Sequence, residues 1–592
     1  MPLLLLGLRE QFLLYDFSVV LLGKSAGLFH GLAFFWEKQH HWDAAYLKGS
    51  GEILFLIYVD FVNCQFAGIF IRQLLHDGSN LATWAAPVGI EINDGWCLSF
   101  EYEGFRAFFE IPYIFEELFV SKVFHFGCRL SLLGGCNVGG YSEDEGYKEY
   151  FFHGRFLFEK MCKDMIKIFI FVRFTNVVPM LLVNIKELVG VEEDGLLMKK
   201  GAKMSETGRI KNAFLLTKGK KIMDYGPMGS PSCKKYLEEH HRVYDVSGSV
   251  VMPAFCDSHT HLVYANSREM EFVDKIRGLS YEEIAKRGGG ILNSARATAA
   301  ASEDELYDMA CLRLDEVMRM GTGAIEIKSG YGLTTESELK LLRVIRRLKE
   351  NSPLTIKSNF LGAHGIPMEY RGHQEDYVDL VINEMIPMVA AEDLADFIDV
   401  FCDQGFFTCE DTERILMAGI KYGMRPKIHA NEMAISGGVQ VGVKYGAISV
   451  DHLEQIGKEE IECLKDTETM PTILPGCAFF LNLPLSPARE MIQNGLPVAM
   501  ASDFNPGTSP SGNMQLIFSM ACIRYRLTPE EALNATTLNT AYAMGVSDEL
   551  GSITKGKIAN LIVTEPMPQL EFMPYYYGTN KVAKMILNGK FV

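Results

Sequence analysis

VMPAFCDSHTH, at residues 251–261, joins an apolar stretch to a short polar segment that contains two histidines. The apolar part predicts a buried β-strand over residues 250–256. In extended backbone, residues two apart point the same way, so His259 and His261 can contact one ion. An HxH pair alone is a weak signal, because partly exposed strand histidines are common, and its meaning depends on the rest of the chain.

Seven further buried strands are predicted downstream, separated by helices with start and stop signals. The eight strands cover residues 250–256, 324–329, 355–361, 397–402, 426–430, 447–451, 471–474 and 498–502. Ser302 with Glu305, and Thr335 with Glu338, have the spacing of a helix capping box. Strands that alternate with helices over about 300 residues predict an α/β fold, a (β/α)8 TIM-like barrel over residues 251–550.

Two β-rich segments flank this barrel. Residues 181–250 include a hairpin around residues 218–220, and the C-terminal segment has predicted strands at 558–564 and 582–587. We therefore expect one small composite β-sandwich domain from residues 180–250 and 551–592.

Residues 1–179 hold all four tryptophans of the chain and no chemical motif that we recognise. We expect an N-terminal extension of unassigned fold. One interpretation is a disordered or mispredicted segment ahead of a true start at Met180, and this is the one we favour. The other is an interaction or membrane-associated module.

Polar residues of the predicted barrel fall where its strands end, which is where barrel enzymes place their chemistry. Strand 5 ends in His429, strand 6 in His452 and strand 8 in Asp503. Three imidazoles and one carboxylate suit zinc, or a similar divalent ion such as iron. We therefore predict that His259, His261, His429 and Asp503 hold one metal ion.

Such an ion lowers the pKa of its bound water to about 7 and supplies hydroxide at neutral pH. Asp503, beside that water, can take its proton, and either Glu432 or His452 can deliver a proton to the leaving nitrogen. Taken alone, His429 could be a core histidine and Asp503 could be a helix N-cap. A metal site is favoured because the HxH pair, His429 and Asp503 come in order at the ends of predicted barrel strands. Lys328, at the end of strand 2, is interpreted as a salt-bridged barrel lysine.

The composition of the chain argues against some classes of function and indicates its compartment. A net charge of −17 argues against nonspecific nucleic-acid binding, which needs a basic surface. The 13 cysteines are scattered without a CxxC pair, so we expect free thiols in a reducing compartment, the cytoplasm. A small-molecule substrate is the expected partner, without nucleic acid, and no membrane contact is expected for residues 180–592.

The motifs resemble those of the amidohydrolase superfamily. PAFCDSHTH is similar to its first-strand motif, and GSITKGKIANLIV to its C-terminal return into the β domain. Two departures are Ala254, where glycine is usual, and Asn560, where aspartate is usual. Over about residues 180–592, seven segments resemble the branch that opens imidazolone rings in histidine degradation: DSHTHLVYANSREMEF, RGGGILNSARAT, EIKSGYGLT, FLGAHGIP, IHANE, DHLEQI and SDFNPGTSP.

This resemblance implies a hydrolase that converts 4-imidazolone-5-propanoate to N-formimidoyl-L-glutamate with one divalent ion, Zn or Fe. It implies that Arg268 grips the substrate carboxylate through its planar fork, and that the enzyme is a homodimer. The other implied substrate contacts are Tyr331, His364, Glu432, Asn505, Gly507 and Thr508, with Tyr281 beside the pocket.

Two rival functions stay open. A different cyclic amidohydrolase, such as a nucleobase deaminase, would bind a neutral ring, and Arg268 favours an acidic substrate instead. A non-catalytic scaffold would have lost metal ligands, whereas all four predicted ligands are present here.

Overall fold

The computed structural model describes residues 178–592, apart from 240, 280–282 and 284–288, together with nine short strands nearer the N-terminus. The chain divides into two units, Met1–Val177 and Val178–Val592. The nine strands of the first unit are Val20–Gly23, Phe35–Lys38, His41–Ala44, Ile53–Val59, Ile90–Asn93, Cys97–Tyr102, Phe105–Glu110, Lys148–Phe151 and Ile168–Asn176. Most of residues 1–179 lie outside the described residues, so the expectation for that extension stays a prediction.

Eight parallel strands of the second unit form a barrel. In chain order, β1 to β8 are Phe255–Asp257, Thr322–Lys328, Thr355–Ala363, Phe397–Cys402, Arg425–Ala430, Ser449–His452, Met470–Ile473 and Ala499–Met500. Each strand pairs with the next one along the chain. Thr260, after β1, bridges in parallel to Phe504, after β8, and so nearly closes the sheet. The predicted (β/α)8 barrel is confirmed.

The first predicted strand is wrong in one respect. Residues 250–256 divide between two sheets, with Val250–Pro253 outside the barrel and Phe255–Asp257 inside it. Pro253 has no N–H for a strand ladder, and Ala254 donates its N–H to the Asn560 carbonyl, not to a barrel strand. The apolar run continues across this break, which is why hydrophobicity alone did not reveal it.

The smaller sheet takes its eight strands from both sides of the barrel sequence. Along the sheet they are Lys221–Pro227, Gly208–Lys218, Met180–Val191, Val250–Pro253, Leu561–Thr564, Val582–Leu587 and Lys590–Phe591, with Arg242–Asp245 beside Met180–Val191. The residues of Met180–Val191 alternate between two cores. Leu181 packs in a cluster with Cys233, whereas Leu182 joins a core shared with Ile586 at the other end of the sheet.

Helices alternate with the barrel strands. Among the described residues of the second unit, the α-helices are Pro231–Glu238, Glu269–Ile276, Ile291–Ala300, Glu303–Arg319, Thr335–Asn351, Gln374–Leu380, Ile386–Ala391, Cys409–Lys421, Gly438–Lys444, Lys458–Leu464, Pro475–Leu481, Ala488–Gln493, Met514–Ile523, Pro529–Thr536, Leu538–Ala543 and Phe572–Tyr575. Short 3-10 turns occupy Gly201–Ser205 and Met368–Tyr370, and a π-helical turn occupies Val381–Met385. Within the described part of the chain, no helix is long and apolar enough to span a membrane.

One of the two predicted capping boxes forms. The Ser302 side chain accepts from Glu305 N, and Glu305 accepts from Ser302 N. The other predicted box is wrong: Thr334, not Thr335, is the N-cap of Thr335–Asn351. Glu338 is buried and accepts backbone N–H groups from the turn after β2, at Gly330, Gly332 and Leu333. This carboxylate therefore fixes the loop that carries Tyr331.

Candidate metal centre and active site

The closure of the barrel brings the two ends of its sequence to one place. His261 N donates to the Phe504 carbonyl at 2.9 Å, and Asp503 N donates to the His259 carbonyl at 3.0 Å. These bonds align the HxH segment after β1 with the segment after β8. The side chains of His259, His261 and Asp503 consequently lie at the same end of the barrel.

The four predicted metal ligands lie together and are buried. The ligand nitrogens of His259, His261 and His429 lie within 4.8 Å of one another. Asp503 Oδ1 lies 3.6 Å from His259 Nε2 and 3.9 Å from His261 Nε2. None of the four residues is more than 2% exposed, so an ion among them would be shielded from bulk water.

Two carboxylates orient two of the candidate metal-binding histidines. His259 Nδ1 lies 2.7 Å from Asp451 Oδ2, and His429 Nδ1 lies 3.1 Å from Asp399 Oδ1. These bonds place the proton on Nδ1 and leave Nε2 free to bind a metal. The Nε2 atoms of His259 and His429 are buried without a hydrogen-bond partner. A divalent ion would satisfy both nitrogens, so the donor set fits a metal.

The electrostatic environment keeps the histidines in their metal-binding form. Burial and the positive charge of Lys328 hold the pKa of His259 well below its usual value. Burial also lowers the pKa of His429, against the opposing Asp399 carboxylate. Neutral imidazole is the form that binds metal ions. Burial raises the pKa of Asp503 to about 7, and contact with a cation favours its ionised form.

A buried charge network lies behind the two orienting aspartates. Lys328 Nζ lies 2.6 Å from Glu326 and 2.7 Å from Asp399, and Lys427 Nζ lies 2.6 Å from Glu326. Both lysines also lie within 4 Å of Asp451. All five side chains are fully buried, so each charge depends on its partners in the network. The interpretation of Lys328 as a salt-bridged barrel lysine is confirmed.

A second polar cluster borders the candidate metal ligands. His452 Nε2 lies 3.6 Å from Glu432 Oε2, and His452 Nδ1 lies 3.5 Å from Glu454 Oε2. Burial opposes the charge on His452, but the carboxylates of Glu432 and Glu454 outweigh it and raise the pKa of His452 to about 10. The His452 ring lies 5.5 Å from the His259 ring. The cluster can therefore hold a proton next to the metal ligands.

Left-handed backbone positions these groups. The φ angles are 57° at Asn431, 86° at His452, 68° at Leu453 and 54° at Asp503. Each such non-glycine residue costs about 1–3 kcal/mol and persists only where the surrounding fold enforces it. Such residues gather at active sites, and here they occur where β5, β6 and β8 end.

Two aromatic side chains form one wall of the site. The His364 ring stacks on His261, with centroids 4.9 Å apart, and Tyr331 lies 5.3 Å from His364. His364 Nδ1 bonds to the Gly330 carbonyl at 2.9 Å. Burial lowers the pKa of His364 to about 3, so it is neutral and its Nε2 is an acceptor.

The turn after β8 lies on the other side. Asn505 Oδ1 accepts from the backbone N–H groups of Gly507 and Thr508, both at 2.8 Å. Thr508 Oγ1 in turn lies 3.3 Å from Asp503 Oδ2. The structure thus joins the three predicted residues of this turn to one another, and Thr508 to a candidate metal ligand.

Arg268 borders the same turn. A Cβ atom added to Gly507 would lie 2.2 Å from Arg268 Nη1. The Nε and Nη2 atoms of Arg268 bond to Glu271 Oε2 at 2.8 and 2.6 Å. Its guanidinium therefore already has a carboxylate partner on one edge. Tyr281, the less central candidate, lies outside the described residues.

Comparison with known proteins places this geometry in a family. A model described as the amidohydrolase family matches residues 481–592. Imidazolonepropionase of Flavobacterium johnsoniae is 53% identical over 413 residues, which are 70% of this chain and 99% of that protein. The chain belongs to the imidazolonepropionase family. Imidazolonepropionases of Christiangramia forsetii and Thermoanaerobacter pseudethanolicus are 52% and 42% identical, over 70% and 65% of this chain and 100% and 91% of theirs.

Solved structures share the fold of this imidazolonepropionase-family chain. Guanine deaminase of E. coli has a TM-score of 0.54 and 15% identity, over 70% of this chain and 99% of its own. An adenosine deaminase of Xanthomonas campestris with bound zinc has a TM-score of 0.51 and 15% identity, over 70% of this chain and 92% of its own. At such identities the likeness shows the amidohydrolase fold alone.

The two departures from the superfamily pattern lie away from the metal ligands. Asn560 Nδ2 donates to the Gly323 carbonyl at 3.1 Å, and its Oδ1 accepts from Asn588 N at 2.8 Å. A Cβ atom on Gly323 would lie 2.5 Å from the Ala254 Cβ. In this member of the imidazolonepropionase family, Ala254 and Asn560 therefore shape the junction between the two sheets, not the site.

Several residues that support the candidate site were not predicted from the sequence. Asp399 lies in no quoted motif, and Glu326 and Asp451 open the segments EIKSGYGLT and DHLEQI without a role being assigned to them. Glu271 carried a usable signal, because it follows Arg268 by three residues on a helix turn, which is the spacing of a helical ion pair.

Proposed function

We propose that this chain hydrolyses 4-imidazolone-5-propanoate to N-formimidoyl-L-glutamate in histidine degradation. One observation carries the proposal: a buried quartet of metal ligands lies beside a Glu432–His452 pair in a chain of the imidazolonepropionase family. The reaction adds water to the ring carbonyl carbon and breaks its bond to the adjacent ring nitrogen. It needs a water nucleophile, a proton acceptor and a proton donor.

His259, His261, His429 and Asp503 are the proposed metal ligands. The unpartnered Nε2 atoms and the bonds from Nδ1 to carboxylates support this assignment. Histidine nitrogen and carboxylate oxygen suit Zn or Fe, and we propose one such ion per chain. When bound, the ion lowers the pKa of a coordinated water and polarises a carbonyl oxygen.

Three residues are proposed to move protons. Asp503 accepts a proton from the attacking water. Glu432 and His452 then provide a proton to the leaving ring nitrogen, which departs as a neutral amidine nitrogen. The 3.6 Å separation of His452 Nε2 from Glu432 Oε2, and the carboxylate of Glu454 behind them, support a protonated His452 at this position.

The substrate is proposed to lie between the aromatic wall and the turn after β8. Tyr331 and His364 contact the ring, and His364 Nε2 accepts a hydrogen bond from a ring N–H. Asn505, Gly507 and Thr508 hold the other end of the substrate. Arg268 binds the propanoate carboxylate with the guanidinium edge that faces Gly507, while Glu271 fixes its opposite edge.

We further propose a cytoplasmic homodimer. Free cysteines support a reducing compartment: those of the described residues form no disulfide. Exposed Tyr575 and Tyr577, 77% and 66% accessible, are candidates for burial between two subunits. Sedimentation of the purified chain tests the dimer, and a single species of monomer mass would refute it.

Ring opening by the purified chain, measured with and without a chelator, tests the proposed function. Arg268→Ala should raise KM for imidazolone propanoate, because the carboxylate loses its cationic partner. Arg277→Ala, at an exposed arginine at the opposite end of the same helix, is the matched control and should leave KM unchanged. Undiminished activity of Arg268→Ala would refute the assigned substrate orientation.

A further inference from the structure

A second group of metal-binding atoms lies beside the first. Glu432, His452 and Cys477 are all buried, and their ligand atoms lie within 4.8 Å of one another. Cys477 Sγ lies 3.7 Å from Glu432 Oε1, and His452 Nε2 lies 3.6 Å from Glu432 Oε2. In tetrahedral zinc, bonds of about 2.3 Å to sulfur and about 2.1 Å to oxygen place two ligands about 3.6 Å apart. The three side chains therefore need little movement to bind one ion.

His452 has a carboxylate behind its ring, as His259 and His429 do, but at a longer distance than theirs. Its Nδ1 faces the Glu454 carboxylate at 3.5 Å, which leaves Nε2 directed towards Glu432. Both Glu454 oxygens are buried without a hydrogen-bond partner. A carboxylate behind an imidazole is the usual support for a metal-binding histidine.

The chemistry of the three ligand atoms favours one class of metal ion. A thiolate sulfur, an imidazole nitrogen and a carboxylate oxygen favour thiophilic divalent ions and disfavour Mg²⁺ and Ca²⁺, which prefer oxygen ligands. Binding would displace the thiol proton of Cys477 and any proton on His452 into solvent. The same binding would remove Glu432 and His452 from proton transfer.

We propose that Glu432, His452 and Cys477 form a second, inhibitory cation site, which takes a thiophilic divalent ion such as Zn²⁺ or Cd²⁺ supplied beyond the first equivalent. The inhibitory part rests on the proposed function, because it requires Glu432 and His452 to act in catalysis. The binding part of the proposal does not depend on the proposed function. The ion at the first centre meets three histidines and an aspartate, so only the second site has a thiolate ligand.

Cadmium titration of the full-length, metal-loaded protein separates the two parts. The thiolate-to-cadmium charge-transfer absorption reports ion binding, and the rate of ring opening is measured on the same samples. We expect absorption that saturates at one added equivalent and activity that falls in parallel. Mg²⁺ at the same concentrations should cause neither change.

Cys477→Ser is the test variant, and Cys233→Ser, at a buried cysteine of the smaller sheet domain, is its matched control. Removal of a direct ligand should weaken cadmium binding by at least about 100-fold, more than loss of an outer partner does. Cys477→Ser should keep its basal activity, lose the absorption and resist inhibition, whereas Cys233→Ser should behave as the parent.

Equal absorption in Cys477→Ser and the parent would overturn the second site. Absorption without loss of activity would overturn its inhibitory role. A parent that never hydrolyses imidazolone propanoate but still shows the Cys477-dependent absorption would refute the proposed function and leave the cation site standing.

Discussion

Asp451→Asn should weaken metal binding without unfolding the barrel. Asp451 accepts from His259 Nδ1 at 2.7 Å and from Ser449 Oγ at 2.6 Å, and it is fully buried. The amide has the same shape but lacks the charge that makes the imidazole a stronger donor to the metal. If the amide presents its NH2 group to Nδ1, the imidazole also loses the tautomer that binds metal.

The magnitude follows from the bond that is lost. A hydrogen bond to a charged group contributes about 1.5–3 kcal/mol, and each 1.4 kcal/mol is a factor of about ten in a binding constant. We therefore expect the dissociation constant of the ion to rise by about 10–100-fold, which is the range for outer partners of metal ligands. Lys328 and Lys427 keep Glu326 and Asp399 as partners, so the fold should persist.

The assay is competition between the protein and chelators of graded affinity, with bound metal measured at each free-ion concentration. Asp396→Asn is the matched control, because Asp396 bonds to Lys357 and Ser358 just before β4, at the opposite end of the barrel. The control should bind the ion as the parent does. If Asp451→Asn also retains the parent's dissociation constant, the proposed orienting role of this carboxylate is refuted.

Three further outcomes are expected. Gly507→Ala should raise KM by about tenfold or more with a smaller effect on kcat, because its Cβ would displace the Arg268 guanidinium, which lies 2.2 Å away. Burial lowers the pKa of Lys557 from 10.5 to about 8. Between pH 8 and 10.5 the unfolded chain therefore binds more protons than the folded one, so the free energy of unfolding should increase with pH. Lys557→Met should remove that increase, as measured by denaturant titrations. A chain that starts at Met180, the first residue of its strand, should retain the parent's kcat/KM for imidazolone propanoate.

Each of these three predictions would be refuted by a specific result. An unchanged KM in Gly507→Ala would place the substrate carboxylate elsewhere. An identical pH dependence in the parent and Lys557→Met would show that this ammonium is not the group responsible. An inactive or insoluble product from Met180, beside an active full-length chain, would assign residues 1–179 a necessary role.

The short apolar runs of the sequence predicted the barrel because its strands are almost entirely buried. The predicted strand at 397–402 matches Phe397–Cys402, and the one at 426–430 differs from Arg425–Ala430 by a single residue. The strand at 250–256 failed because one apolar run supplies two sheets. The box at Thr335 failed because Glu338 binds the preceding turn instead.

The gathering of the four candidate metal ligands could be predicted because each lies at or just after the end of a strand, and these ends face the same side of the barrel. The residues that support these candidate ligands could not be predicted from the sequence. Asp399 and Glu326 lie inside strands, and only the barrel geometry shows that they point at His429 and Lys427. Cys477 was one of 13 scattered cysteines, and nothing in its sequence context distinguished it.

The proposed mechanism requires one ion, held by His259, His261, His429 and Asp503, for hydrolysis. Stepwise return of Zn or Fe to metal-free, full-length protein tests it most directly, with imidazolone-propanoate hydrolysis measured at each step. We expect no activity without metal, a linear rise in activity with a break at one ion per chain, and no recovery in His429→Ala. Full activity of the metal-free protein, or full recovery in His429→Ala, would contradict it.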